Sequence, residues 1–146
     1  MPELTAVAKL NELIDRIDTA SLTTVRPNGR LHSCPMASHL ANESGVLWFI
    51  AHNDSEKVEA VRTNQRVNVA YADHAGQRYV SVSGFCELVR DHALTMQLWQ
   101  PNYKDWFPEG PEDSALVLLK VDIQQAEYWD AAHGRMVALL GFPRIT

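Results

Sequence analysis

The chain reads as a mainly β domain of the α+β class, with antiparallel strands and helices packed outside them. Three stretches carry that reading. Val46 to Ile50 is a short apolar run rich in branched and aromatic residues, and Val67, Val69 and Tyr71 alternate as a half-buried strand, so Trp48 to Asp73 runs strand, helix, strand. Ala20 to Val25 and Arg30 to Leu40 form the arms of a hairpin about Pro27-Asn28-Gly29, a proline followed by a pair tolerant of the left-handed conformation. Tyr79 to Leu88 alternates, with Val80 and Val82 on one face and Ser81 and Ser83 on the other, while Ala115 to Val121 is a nearly continuous apolar strand expected to be fully buried.

Each element has its own local warrant. Leu10, Leu13, Ile14 and Ile17 fall at helical spacing, Leu4 and Val7 continue the stripe, and Pro2 sits where a helix can begin. This helix is expected to pack over an open edge or end of the sheet. In the second hairpin arm Pro35 lacks an N–H, which places it at an edge or a bulge. Asn53 is placed as the cap of the central helix, with Glu56 in capping-box spacing, Val58 and Val61 on the buried stripe and Asn64 as a left-handed stop. Gly84 marks a bulge or a close backbone approach. Asp91 caps a helix through Ala93, Leu94, Leu98 and Trp99 that ends before Pro101. Asn102 to Asp113 is a loop carrying Tyr103, Trp106 and Phe107, either packed on itself or forming a wall for a flat ligand. A turn is expected at Asp122, after which Glu127 to Asp130 extends the sheet. Trp129 reads as a core or interface residue ahead of a ligand neighbour, and the tail is apolar from Met136 to Leu140.

With 146 residues, 46% of them apolar and 21% charged, the chain has the size and composition of one globular domain over residues 1–146. Its net charge of −5 argues against nucleic-acid and anionic-membrane partners, which select basic surfaces. Two cysteines, Cys34 and Cys86, are too few for a disulfide framework. No apolar stretch approaches spanning length, and Met1-Pro2-Glu3-Leu4 is not a basic leader before an apolar run, so a reducing cytoplasm is the expected location.

The functional signals are few. Ser55 and Lys57 put a hydroxyl and a cation in the first turn of the central helix, where free N–H groups and the positive dipole end favour an anion. The plain alternative is a capped surface helix with a solvated lysine. The break at Pro35 frees backbone groups to face a heterocycle or water. The six histidines are scattered without metal-ligand spacing, so no metal site is expected. His52 follows a strand into the anion turn, with its backbone placed to touch a ligand and its ring turned to solvent. Gly-x-Ser-x-Gly, Walker A and Gly-x-Gly-x-x-Gly patterns are absent, so hydrolases and Rossmann enzymes are poorly supported.

Taken together, these stretches resemble the general stress protein 26-like branch of the pyridoxamine 5′-phosphate oxidase-like, FMN-binding split-barrel family. The resemblance runs from Leu22–Met36 through Trp48–Asp73, Gly84–Leu88 and Trp106–Pro111 to Val121–Asp130, nearly the whole chain. It implies an antiparallel split β-barrel with peripheral helices, and a homodimer holding two flavins at its interface. It also implies FMN, with FAD or F420 as alternatives, bound by Ser33, Cys34, Pro35, Met36, Ile50, Ala51, His52, Ser55, Lys57 and Trp106. The implied activity is electron or hydride transfer from a reduced nicotinamide to an unidentified acceptor. The alternatives are a flavin-binding stress or sensor protein without turnover, or a member using F420 or haem. Where relatives commonly read His-Ser-Arg-Pro-Met this chain has Cys34 in place of the arginine, Ala51 replaces a frequent threonine, and Glu56 a frequent basic residue. The arginine- and histidine-bearing carboxyl end of the true oxidases is missing, which disfavours that activity.

Overall fold

Residues 4–140 are described by a computed structural model, with side chains for residues 6–139. The order is α1 (Leu4–Ile14), β1 (Thr19–Val25), β2 (Leu31–Ala37), β3 (Val46–His52), α2 (Glu56–Thr63), β4 (Arg66–Asp73), β5 (Arg78–Val89), α3 (His92–Leu98), β6 (Leu116–Asp130) and β7 (Met136–Leu140), with two 3-10 turns between α3 and β6. All strand pairs are antiparallel, in the order β2-β1-β4-β5-β6-β3 with β7 also on β6. The end strands β2 and β3 come close without pairing, so the sheet curls into a barrel that stays split along that seam.

The hairpin forms as its turn chemistry dictates. Gly29 takes φ +84°, Gly29 N–H donates to Arg26 O at 2.8 Å, and Asn28 Oδ1 accepts from Arg30 N–H at 2.9 Å. Its second arm is shorter than expected, ending at Ala37, where Ser38 N–H turns to Asp18 O at 2.9 Å. Pro35 does lie on an edge strand, with Ser21 opposite and no strand beyond.

β6 corrects the sequence reading most. No turn occurs at Asp122; the strand runs unbroken for 15 residues. Its edges change partner along the way. Leu116–Asp122 pairs with β3 and Ala126–Trp129 with β7, while β5 follows the other edge from Leu118 to Asp130. A register shift at Ser83/Gly84 absorbs the resulting bend, and a Cβ on Gly84 would lie 2.3 Å from Asp122 O. Ser83 faces Gln125 and Gly84 faces Ile123, so Gln124 is the extra residue of a bulge in β6 itself, and the chain runs on past Asp122. Ala115–Val121 lacks alternation because both faces are covered: Val117, Leu119 and Val121 enter the main core, and Leu116 and Leu118 enter a second cluster with Phe107, Trp99 and Leu98.

Val7, Leu10, Leu13, Ile14 and Ile17 are buried as the periodicity required, and α1 lies against β7 and β5. The start assigned to Pro2 and the side chain of Leu4 lie outside the described residues. Val58 and Val61 hold α2 to the core, joined by Ala60. Trp129 is half-buried on the outer face against Tyr79, ring centroids 5.7 Å apart, and takes no part in the core. No helix among the described residues is long and apolar enough to cross a membrane.

Candidate cofactor site

A cavity of about 260 Å³ opens where the split in the barrel meets the start of α2. Pro35, Met36 and Ala37 of β2 form one side, and Ile50, Ala51 and His52 of β3 the other. Ser55 and Lys57 close one end, and Tyr103, Trp106 and Phe107 stand over it with His39. The unpaired strand edges leave the opening, and the aromatic loop roofs it. The loop is packed in part, with Phe107 at 4% exposure, while Trp106 lines the cavity and stays 56% exposed.

The anion end is built differently from the expected capping box. Ser55, not Asn53, is the N-cap of α2, and it makes no side-chain capping bond. Its hydroxyl instead donates to His52 O at 2.8 Å. The first helical bond runs from Glu59 N–H to Ser55 O at 3.2 Å, so the N–H groups of Glu56, Lys57 and Val58 have no partner among the described residues. Asn53 Oδ1 accepts from Arg62 Nη2 at 3.1 Å, and Asn64 is extended at φ −149° where a left-handed stop was expected. The Glu56 carboxylate turns neither to Asn53 nor to the cavity. It pairs with Arg26 at 2.6 Å across the surface, so its charge is met locally. Glu59 pairs likewise with Arg62 at 3.3 Å. Lys57 makes no ion pair among the described residues.

His52 is more than a backbone contact. Its ring stacks on Phe107 at 4.4 Å and 18°, and its Nε2–H donates to Trp106 O at 2.7 Å, tying the loop to β3. The side chain remains 41% exposed, but the ring is committed to the roof. Tyr103 Oη meets His39 Nε2 at 3.1 Å, and both residues line the cavity. His39 escaped the sequence reading because a lone histidine in a loop carries no pattern; Tyr103 was visible only as one aromatic among several.

Of the ten residues singled out, eight line this cavity: Pro35, Met36, Ile50, Ala51, His52, Ser55, Lys57 and Trp106. Ser33 and Cys34 do not. Strand alternation turns Ser33 outward, bonded to Thr23 at 2.6 Å, and packs Cys34 partly against the core. Burial pushes the Cys34 thiol up, against the pull of Lys57, so it is held as a thiol. Among the described residues no cluster could hold a metal ion.

This arrangement offers flat apolar walls, a neutral polar pair and one anion end, which suits a planar heterocycle bearing a phosphate. The chain is 26% identical to Protein bli-3 of Neurospora crassa over 98 residues, 60% of this chain and 47% of that one. It therefore spans about half the length of that curated relative. The general stress protein 26 of Bacillus anthracis str. Sterne superimposes with a TM-score of 0.77 at 26% identity, covering 91% of this chain and 98% of that one. The general stress FMN/FAD binding protein of Xanthomonas citri gives a TM-score of 0.72 at 24% identity over 97% and 98%. A family model described as pyridoxamine 5′-phosphate oxidase like matches residues 5–144, and with the split barrel and its seam cavity in place the chain belongs to that family.

Proposed function

We propose that this chain binds FMN in the seam cavity and acts as an FMN-dependent oxidoreductase, taking electrons from a reduced nicotinamide. The observation that carries the reading is Lys57. It stands free of carboxylates beside an uncapped helix start, at the end of an otherwise apolar and aromatic cavity. Lys57 Nζ and the N–H groups of Glu56, Lys57 and Val58 would hold the phosphate. Ile50, Met36 and the roof at Trp106 and Phe107 would flank the ring and keep water from it. Bound there, the flavin supplies the two-electron chemistry, and the protein supplies orientation and electrostatics. The Xanthomonas citri relative, by its description, binds FMN or FAD.

A second copy completes the site in this reading. The cavity of about 260 Å³ falls below the range of about 300–1,000 Å³ usual for small-molecule sites. The outer face of the sheet supplies the surface. Ser21, Ala70 and Ser81 lie side by side across β1, β4 and β5, next to Thr23, Asn68 and Ser83. These side chains carry no charge, and charged residues are depleted at interface cores.

The test is the absorption spectrum of freshly purified protein, then anaerobic addition of a reduced nicotinamide. Flavin bands that bleach and return in air are the expected result. Bands that no concentration of nicotinamide bleaches would leave a flavin binder without this turnover, and a colourless protein that takes up no added FMN would end the reading.

A further inference from the structure

The cavity that Lys57 lines holds a second polar feature, and it carries no charge. Tyr103 is 5% exposed, its ring edge-on to Trp99 at 5.6 Å and 86°, so its hydroxyl is held in place. That hydroxyl meets His39 Nε2 at 3.1 Å, and both residues line the cavity. Neither Tyr103 Oη nor His39 has another hydrogen-bond partner among the described residues. A phenol offers one donor and its oxygen lone pairs, so after the bond to His39 it can still face a ligand. If Oη donates to Nε2, it accepts from a ligand N–H. If Nε2–H donates to Oη, the hydroxyl proton is free for a ligand carbonyl. Burial pushes the Tyr103 hydroxyl up and the His39 imidazole down, so the pair is neutral at ordinary pH. A neutral donor–acceptor pair among apolar side chains is a poor phosphate ligand and a good partner for a lactam or imide edge.

We propose that the Tyr103 hydroxyl, backed by His39, reads the ring of the bound heterocycle by hydrogen-bonding its carbonyl and N–H edge. The pyrimidine-dione edge of a flavin presents that alternation of acceptor and donor. This inference rests on the flavin reading of the cavity and assigns the two ends of the ligand to different residues. Lys57 binds the phosphate, and Tyr103 selects the ring. A flat ligand without a polar edge leaves the hydroxyl desolvated and unpaired on that side, which is how such a site discriminates.

The experiment titrates FMN and lumiflavin, the ring without the phosphate chain, into the protein and into Tyr103→Phe, following flavin fluorescence. Melting curves of the ligand-free proteins run in parallel. Tyr103→Phe keeps the aromatic shape, and losing one neutral hydrogen bond should weaken both ligands about tenfold with the melting temperature unchanged. His39→Phe should produce a smaller loss of the same kind. Unchanged affinities overturn the proposal, as does a loss confined to FMN. A loss that comes with a lowered melting temperature assigns the hydroxyl to pinning the loop, and overturns it too. A parent that binds FMN but not lumiflavin refutes ring recognition alone; a parent that binds neither refutes the flavin reading and this inference with it.

Discussion

Among the described residues Lys57 is the only lysine or arginine on the cavity wall, and its neighbours make it effective. Glu56 and Glu59, which would repel a phosphate, are each drawn off by an arginine. A charge-assisted bond contributes about 1.5–3 kcal/mol, so Lys57→Ala should weaken FMN about ten- to hundredfold and leave riboflavin unchanged. Equal FMN affinity in parent and mutant would remove Lys57 from the site. Ser55→Ala should cost less than about 1 kcal/mol of FMN binding, because its one hydroxyl proton already serves His52 O. Titration matters elsewhere too. Burial first, then the charges of Glu87 and Asp122, pushes the fully buried Cys86 thiol from 9.0 to about 12. The folded chain therefore keeps this proton while the unfolded chain loses it. Stability should fall as pH rises from about 9 towards 12, with buried Tyr71, also pushed up, adding the same sign above its ordinary value of 10.0. Urea midpoints measured across that window should drop steadily, and less steeply in Cys86→Ala; a flat profile would contradict a buried, protonated thiol.

At the level of elements, β6 is the spine. It pairs with β5 along one edge and with β3 and β7 in turn along the other; Gln124 is its extra residue against β5, and Gly84 allows the close approach beside it. The atom facing a new Cβ there is a backbone oxygen, which cannot swing away as a side-chain end could. Gly84→Ala should therefore destabilise the protein by about 1–3 kcal/mol, the usual cost of overpacking. A urea midpoint equal to that of the parent would mean the two strands separate more easily than their ladder implies. The aromatic loop is the other element with a defined anchor. Its backbone is fixed at Trp106 O by His52, and Phe107 by stacking on that ring. A segment without regular strands thereby becomes a roof.

At the scale of the whole molecule, the uncovered outer face sets the expectation of a dimer. Ala70 is exposed at its centre, with Ser21 and Ser81 to either side. Asn68 donates to Ser81 Oγ at 3.0 Å and Thr23 bonds Ser33 at 2.6 Å, so the polar groups of this face largely satisfy one another. Such a surface can be covered at little desolvation cost. Sedimentation at low micromolar concentration should give a dimer, and Ala70→Arg should give a monomer with weakened FMN binding and a normal fold. A parent that sediments as a monomer while binding FMN tightly would show that one chain suffices.

Much of this was legible in the chain itself, and the rest was not for physical reasons. Periodicity placed α1, β4 and β5 because core-facing side chains must recur at the period of their backbone, as Val67, Val69 and Tyr71 do. Local chemistry fixed Gly29 in its turn, Asp91 as the cap that accepts from Leu94 N–H at 3.0 Å, and Pro35 at an edge. Local chemistry also misled where a distant partner offered more. Arg26 took Glu56 and Arg62 took Asn53, so the capping box never formed and the start of α2 was left open to an anion. Asp122 resembled a turn because nothing nearby in sequence reveals that β6 takes up one extra residue, Gln124, against β5 and runs on. Pairings such as Tyr103 with His39, 64 residues apart, exist only once the barrel has curled and the loop has folded back over its seam. The sequence determined the elements and the residue types at the site; which of them share one cavity was decided by the closure of the sheet, because register and curvature are properties of strands together.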